Sequence, residues 1–148
     1  MRISAKGRYA LAAITEIARQ AREGDNVSVY NISKTLGISK IYLEQVLVQL
    51  KKGGVIISIK GSKGGHQLAR EPKKITAWDV LLTVENGLVE QAESTVADQA
   101  PGIDVMLRSL VFDVLDDAIK RCLDGITVQD MLDCSEQQIF DQAYMLNL

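Results

Sequence analysis

Residues 31–70 read NISKTLGISKIYLEQVLVQLKKGGVIISIKGSKGGHQLAR, and the glycine at position 37 constrains the fold of this stretch more than any other residue. Before it, Ile32 and Leu36 make a short apolar stripe. After it, Leu43, Val46, Leu47 and Leu50 recur at i, i+3, i+4 and i+7, which places them on one inward helix face at about 100° per residue. Gly37 suits a left-handed helix stop, and Ser39 suits the N-cap of the second helix. Two short helices joined this tightly have the punctuation of a helix-turn-helix. Ile41, Gln45, Val48 and Gln49 are then expected to point outward, where amides can pair with base edges and an isoleucine can meet a thymine methyl. A helix packed on a partner protein would present the same face.

The residues behind it favour the nucleic-acid reading. Val55, Ile57 and Ile59 alternate with Ile56, Ser58 and Lys60, the period-2 pattern of a strand, and a return strand is expected over 67–70. Between them lie Gly61, Ser62, Lys63, Gly64 and Gly65. Glycines here allow positive φ and close backbone approach, so Lys60 and Lys63 at the tip can reach phosphates or a minor groove. A hairpin in this position is a wing, although an ordinary solvated hairpin carries the same residues.

Charge supports the same direction. The chain is near neutral overall, at −2, yet residues 1–74 hold fourteen Lys/Arg against five Asp/Glu, a net of +9, while residues 75–148 hold three against fourteen, a net of −11. A basic front half containing the candidate reader is an electrostatic footprint for a polyanion. At 47% hydrophobic and 24% charged over 148 residues the composition is that of a globular protein, and no apolar run approaches the roughly 20 residues that span a bilayer. No membrane partner and a cytoplasmic location are expected. Two cysteines, Cys122 and Cys134, and a single histidine, His66, support neither a disulfide framework nor a metal site.

In chain order, Ser4 is expected to cap a first helix carrying Leu11, Ile14, Ile17, Ala18 and Ala21, whose first turn brings Lys6 and Arg8 to backbone N–H groups suited to a phosphate, a plain solvated charged turn being the alternative. Thr76 and Asp79 have the spacing of a capping box for a helix ending near Gly87. Residues 88–102 have no durable period and read as a surface loop. Residues 103–123 carry the longest uninterrupted helical pattern, with Leu107, Leu110, Val111, Val114, Leu115 and Ala118 on a stripe wide enough to meet the parent domain and a second copy together. Burial inside one subunit is the alternative. Thr127 with Asp130, and Ser135 with Gln138, offer two further caps.

Taken together, Lys6-Gly7-Arg8-Tyr9-Ala10, Tyr42-Leu43-Glu44-Gln45, the wing pattern Gly61, Gly64, Gly65, Leu68, and Ile75-Thr76-Ala77 with Asp79-Val80 resemble the winged helix-turn-helix regulators of the Rrf2 family over nearly the whole chain. The resemblance implies a homodimer joined through the long helix and a palindromic duplex operator. It also implies DNA contacts from Tyr42, Glu44 and Gln45 at base edges and from the wing at the minor groove. Ser39, Lys40 and Ile41 at the helix start, Lys6 and Arg8, and Lys60, Lys63, Gly64, Gly65 and His66 complete the expected contact set. Three departures stand out. Cluster-binding members carry three cysteines before the dimer helix, whereas residues 88–102 contain neither Cys nor His. Lys60 replaces a usual arginine, and His66 a usual aromatic.

No cofactor and no iron–sulfur cluster are therefore expected, because thiolates are the ligands such clusters need. This clusterless branch resembles the repressor of cysteine and sulfur metabolism that works with a cysteine-biosynthesis enzyme, and Tyr144-Met145-Leu146 is similar to that branch's ending. The signal is then expected from a regulatory protein or a small-molecule effector. Cys122 and Cys134 are the only candidates for a redox input, with Cys122 on the apolar face more naturally a buried structural thiol.

The expected fold is mostly α with a small β-wing: a DNA-binding domain over 1–74, a linking helix and loop over 75–102, and a dimerisation helix with a helical tail over 103–148. The expected function is sequence-specific transcription regulation, most naturally repression. An enzyme is disfavoured, since no nucleophile–base pair, carboxylate pair or phosphate loop is visible. The rival is a winged-helix module that binds protein, for which a +9 front half has no use.

Overall fold

The computed structural model describes residues 3–22, 24–89 and 93–147 and is mostly helical with one two-stranded sheet. The hydroxyls of Ser4, Ser28 and Ser39 each accept a hydrogen bond from the amide three residues on, starting α1 (Ala5–Gln20), α2 (Val29–Leu36) and α3 (Lys40–Lys52). Gly37 stops α2 at φ +66°, and the Ser33 hydroxyl donates to the Ile38 carbonyl at 2.6 Å across the turn. The helix-turn-helix expected from Gly37 and Ser39 is present.

The wing differs in its bounds. Strand β1 (Ile56–Ile59) pairs antiparallel with β2 (Gly65–Leu68), Ile56 opposite Leu68 and Ile59 opposite Gly65. The return strand thus starts at 65 instead of 67, and the tip shrinks to 60–64. Pairing of Gly65 with Ile59 sets that start, and on the other edge of β2 the Val27 N–H donates to the His66 carbonyl at 2.9 Å while the His66 N–H donates back at 2.8 Å. A Cβ on Gly65 would lie 2.7 Å from the Val27 oxygen, so this close approach requires glycine.

Helix α4 (Ala77–Val84) carries the Thr76–Asp79 capping box and stops before Glu85, short of the end expected near Gly87. Then follow α5 (Pro101–Leu107) and α6 (Asp113–Asp124), joined by a π-helical turn at Arg108–Phe112 in which the Asp113 N–H donates to the Arg108 carbonyl. The helix expected to be uninterrupted over 103–123 therefore contains one wide turn, which rotates the residues after it relative to those before. Helix α7 (Val128–Leu146) has the Thr127–Asp130 capping box. It runs through Ser135, whose hydroxyl donates to the Leu132 carbonyl at 2.8 Å instead of capping a third helix.

One apolar cluster joins Ile14 and Ile17 of α1, Ile32 of α2, Leu43 and Leu50 of α3, Ile56 of β1 and Val128 and Leu132 of α7. The start of α7 belongs to this core and is zipped to the α4 entry, with the Val128 N–H on the Ile75 carbonyl and the Ala77 N–H on the Ile126 carbonyl, both at 2.8 Å. A second cluster sets Ile119 and Leu123 of α6 against Trp78 and Leu81 of α4. Within 103–148, Ile119, Leu123, Val128 and Leu132 dock on these clusters, while Leu110, Val111, Val114 and Leu115 before them and Phe140 and Tyr144 after them are exposed.

Candidate nucleic-acid interface

Because Leu43, Val46, Leu47 and Leu50 are all buried, α3 has only one orientation available, and its opposite side carries Ile41, Glu44, Gln45 and Val48. Ile41 is 74% exposed and Val48 50% exposed. Two such apolar residues in water on a helix already anchored by its other face suit a groove or a partner. Lys40 and Glu44 form an exposed pair at 3.9 Å, too weak to hold either side chain away from a ligand. Gln49 differs from expectation: it is half-buried, and its Oε1 is buried without a hydrogen-bond partner.

Tyr42 is also half-buried. Its ring meets Tyr9 of α1 edge-on, centroids 5.5 Å apart and planes at 80°, an attractive aromatic geometry that fixes the first turn of α3 against α1. Ser39 is exposed while its hydroxyl caps α3. These two residues hold the helix start as much as they face outward.

The start of α1 departs from the phosphate site expected there. The Glu85 carboxylate already sits on it, accepting from the Ser4 N–H at 2.8 Å and the Ser4 hydroxyl at 2.7 Å, as an anion does at a helix N-terminus. Gly7 makes room, since a Cβ there would lie 2.1 Å from the carboxylate oxygen. Arg8 remains exposed with one nitrogen donating to the Ile3 carbonyl at 3.0 Å, and Lys6 is half-buried.

Lys60 and Lys63 are exposed on the wing tip, and the Asn26 amide donates to the Lys63 carbonyl at 2.8 Å, tethering that tip to the segment before α2. Gly64 and Gly65 are half-buried beneath it. His66 is not at the tip. It lies within β2, half-buried, with Nδ1 3.0 Å from the Ser58 hydroxyl, and burial, with Lys51 nearby, pushes its pKa down. A cavity of about 380 Å³ between α3 and the sheet, lined by Val48, Lys51, Ser58 and His66, shows that the wing stands directly beside the outward side of α3.

Sequence reasoning missed three positioning residues. Arg70 donates to the Gly54 carbonyl at 3.0 Å and reaches Asp79 at 3.5 Å, tying the wing exit to the end of α3 and to α4. Gln67 donates to Asn26 at 2.7 Å and to the Gly24 carbonyl at 2.9 Å. Glu85 is the third. Each partner lies far along the chain, so no local spacing signals the contact.

The profile of the Rrf2 family, described as "Iron-dependent Transcriptional regulator", matches residues 3–134. The chain belongs to the Rrf2 family. It is a transcription regulator of the DNA-binding kind. It is 33% identical to the HTH-type transcriptional regulator CymR of Bacillus subtilis (strain 168), covering 98% of both chains. To the regulator IscR of Photorhabdus laumondii it is 31% identical, over 97% of this chain and 85% of that one. Among solved structures, CymR, "the Global Cysteine Regulator of B. subtilis", superposes with a TM-score of 0.69 at 32% identity over 90% of this chain and 97% of that chain. IscR of T. potens gives 0.70 at 30% identity over 93% and 90%. The relatives are regulators and not enzymes.

The donors in this Rrf2 chain do not fit an iron–sulfur cluster. Residues 88–102 hold no Cys or His, Cys122 and Cys134 sit on different helices, α6 and α7, and a cluster needs more thiolates than these two. Among the described residues no group of three or more His, Cys, Asp or Glu could hold a metal ion. Both cysteines are exposed, so the expectation of a buried Cys122 does not hold within one chain.

A second surface lies on the arm formed by α5, the π turn and α6. Leu110, Val111, Val114, Leu115 and Ala118 are exposed, and Leu107 is half-buried. Among the described residues no helix is long and apolar enough to cross a membrane.

Proposed function

We propose that this Rrf2 regulator is a homodimeric, sequence-specific repressor that needs no iron–sulfur cluster, and that it reads DNA through the outward side of α3 and the wing. One observation carries the reading: Ile41, Gln45 and Val48 stand exposed on a helix anchored by its opposite side, next to a wing whose tip presents Lys60 and Lys63. Gln45 is the base reader, Ile41 and Val48 supply apolar contact to thymine methyls, and Glu44 accepts from cytosine N4. Tyr42 acts from the helix start and Ser39 from its cap, while Gly64 and Gly65 let the wing backbone approach. Lys6, Arg8, Lys40, Lys60 and Lys63 contact phosphates. Half-buried within β2 and bonded to Ser58 of β1, His66 joins the two strands of the wing.

Dimerisation is assigned to the arm, because five neighbouring apolar side chains in water form the kind of patch a second copy covers. Two readers on one axis then meet a palindromic operator in the cytoplasm. Likeness to CymR favours a role in sulfur or cysteine metabolism, with the signal arriving through a partner protein or small molecule.

Titrating a labelled duplex at rising salt tests the reading. Log affinity falls against log salt with a slope of about 0.9 for each phosphate neutralised. In the same assay Gln45→Ala relaxes preference at one operator position by about 1–3 kcal/mol, while Lys63→Ala weakens all sequences alike. A flat salt response would favour a protein-binding winged helix instead.

A further inference from the structure

A cavity of about 570 Å³ lies where the end of α1, the return strand of the wing and the start of α7 meet. Leu68 and Leu132 give it apolar walls, and Arg22, Arg70, Gln67 and Gln129 complete its lining, the Arg70 nitrogens bonding to the Lys74 and Gly54 carbonyls and to Asp79. The volume suits a small metabolite. Both guanidinium groups are held by carboxylates of the chain itself: Arg22 pairs with Glu136 of α7, and Arg70 reaches Asp79 at 3.5 Å. All four side chains are a third or more exposed, and ion pairs in such surroundings add little. A ligand carboxylate can displace either internal one at small penalty, since the planar fork donates to both alike.

We propose that this cavity binds a short-chain dicarboxylate, one carboxylate on each of Arg22 and Arg70 and its hydrocarbon body against Leu68 and Leu132. The wall on the wing side is preformed, because Gln67 is fixed by its bonds to Asn26 and the Gly24 carbonyl. The same residues tie together the parts that a regulator must move. Arg70 holds the wing exit to the end of α3 through the Gly54 carbonyl, and Arg22 holds α1 to α7. A bound diacid exchanges those ties for its own, so occupancy changes how the wing and α7 sit relative to α1 and hence DNA affinity, and DNA changes diacid affinity by the same factor. That effector role deepens the DNA-regulator reading and rests on it. Binding itself does not.

The test is thermal unfolding of the intact protein without DNA, in the presence of succinate, glutarate or adipate, with glutaramide and sodium sulfate as controls. At least one diacid raises Tm by roughly 9 °C at a hundredfold excess over its Kd, and the controls do not. Arg22→Gln and Arg70→Lys each weaken that diacid tenfold or more. Absence of any diacid effect, an equal effect of sulfate, or unchanged binding by Arg22→Gln overturns the proposal. Because Arg22 is a surface residue, its substitution leaves the fold able to answer. A protein that binds the diacid but no duplex keeps the cavity and loses the regulator reading, whereas duplex binding without diacid binding does the reverse.

Discussion

The body built from α1 to α4 with the wing, and the arm made of α5 and α6, are both rich in leucine and valine, yet they treat those residues in opposite ways. In the body Leu43 and Leu50 are 0% exposed, whereas on the arm Leu110 is 68% and Leu115 54% exposed. A body of this kind closes its core within one chain, so its stability belongs to the monomer. An arm that leaves its apolar side in water lowers its free energy only when another surface covers it, so its order depends on concentration.

The sharpest way to break the comparison is to charge the arm. Leu115→Asp places a carboxylate where the proposed second copy packs, and burying it unpaired costs several kcal/mol. Sedimentation shows monomers at micromolar concentration, operator affinity collapses, and the circular dichroism of the body persists. If the variant stays dimeric, the arm is not the shared surface.

Truncating the body gives the opposite signature. Leu43→Ala removes a fully buried side chain and costs about 2–5 kcal/mol of unfolding free energy. Denaturant titration at two protein concentrations shows the same loss at both. A loss that shrinks at high concentration would mean that body and arm unfold as one unit.

Gly7→Ala is smaller and probes the seam between α1 and α4. The new methyl pushes the Glu85 carboxylate off Ser4, at a cost of about 1–3 kcal/mol. In a Glu85→Ala background the same change costs less, because the displaced bonds are already gone. Equal penalties in the two backgrounds would place the strain on Ile3 instead.

What the sequence made legible follows from how local each signal is. Gly37, Ser39 and the spacing from Leu43 to Leu50 are read within one or two helical turns, and they locate the helix-turn-helix and its outward side. The two Thr/Asp capping boxes are equally local. The start of β2 escapes a period-2 reading because Gly65 and His66, which pair with Ile59 and Ser58, carry no apolar alternation of their own. The seat of Glu85 on Ser4 joins the first turn of α1 to the end of α4 and leaves no trace in spacing. At Arg108–Phe112 the apolar stripe continues through the π turn, so composition alone does not reveal the extra residue. Gln49 sat on the outward side by angle, but burial of its amide depends on neighbours that periodicity cannot name.

The smallest expected effect separates body from arm by pH. His66 is the only histidine in the chain and lies in the body, hydrogen-bonded to Ser58, with its pKa lowered by burial first and by Lys51 second. The unfolded chain therefore binds this proton more readily than the folded one. By linkage, unfolding free energy rises with pH between the lowered folded value and the ordinary one near 6.5. The contribution is complete above that ordinary value and is lost as pH falls toward the folded one. Denaturant midpoints of the body should thus decline on acidification just below neutrality, while the constant of the proposed dimer, whose surface on the arm is aliphatic, stays level over the same range. His66→Gln can keep a hydrogen bond to Ser58 but cannot titrate, so its midpoint should be flat through this window. A parent protein as flat as that variant would mean that His66 is as solvated in the folded chain as in the unfolded one.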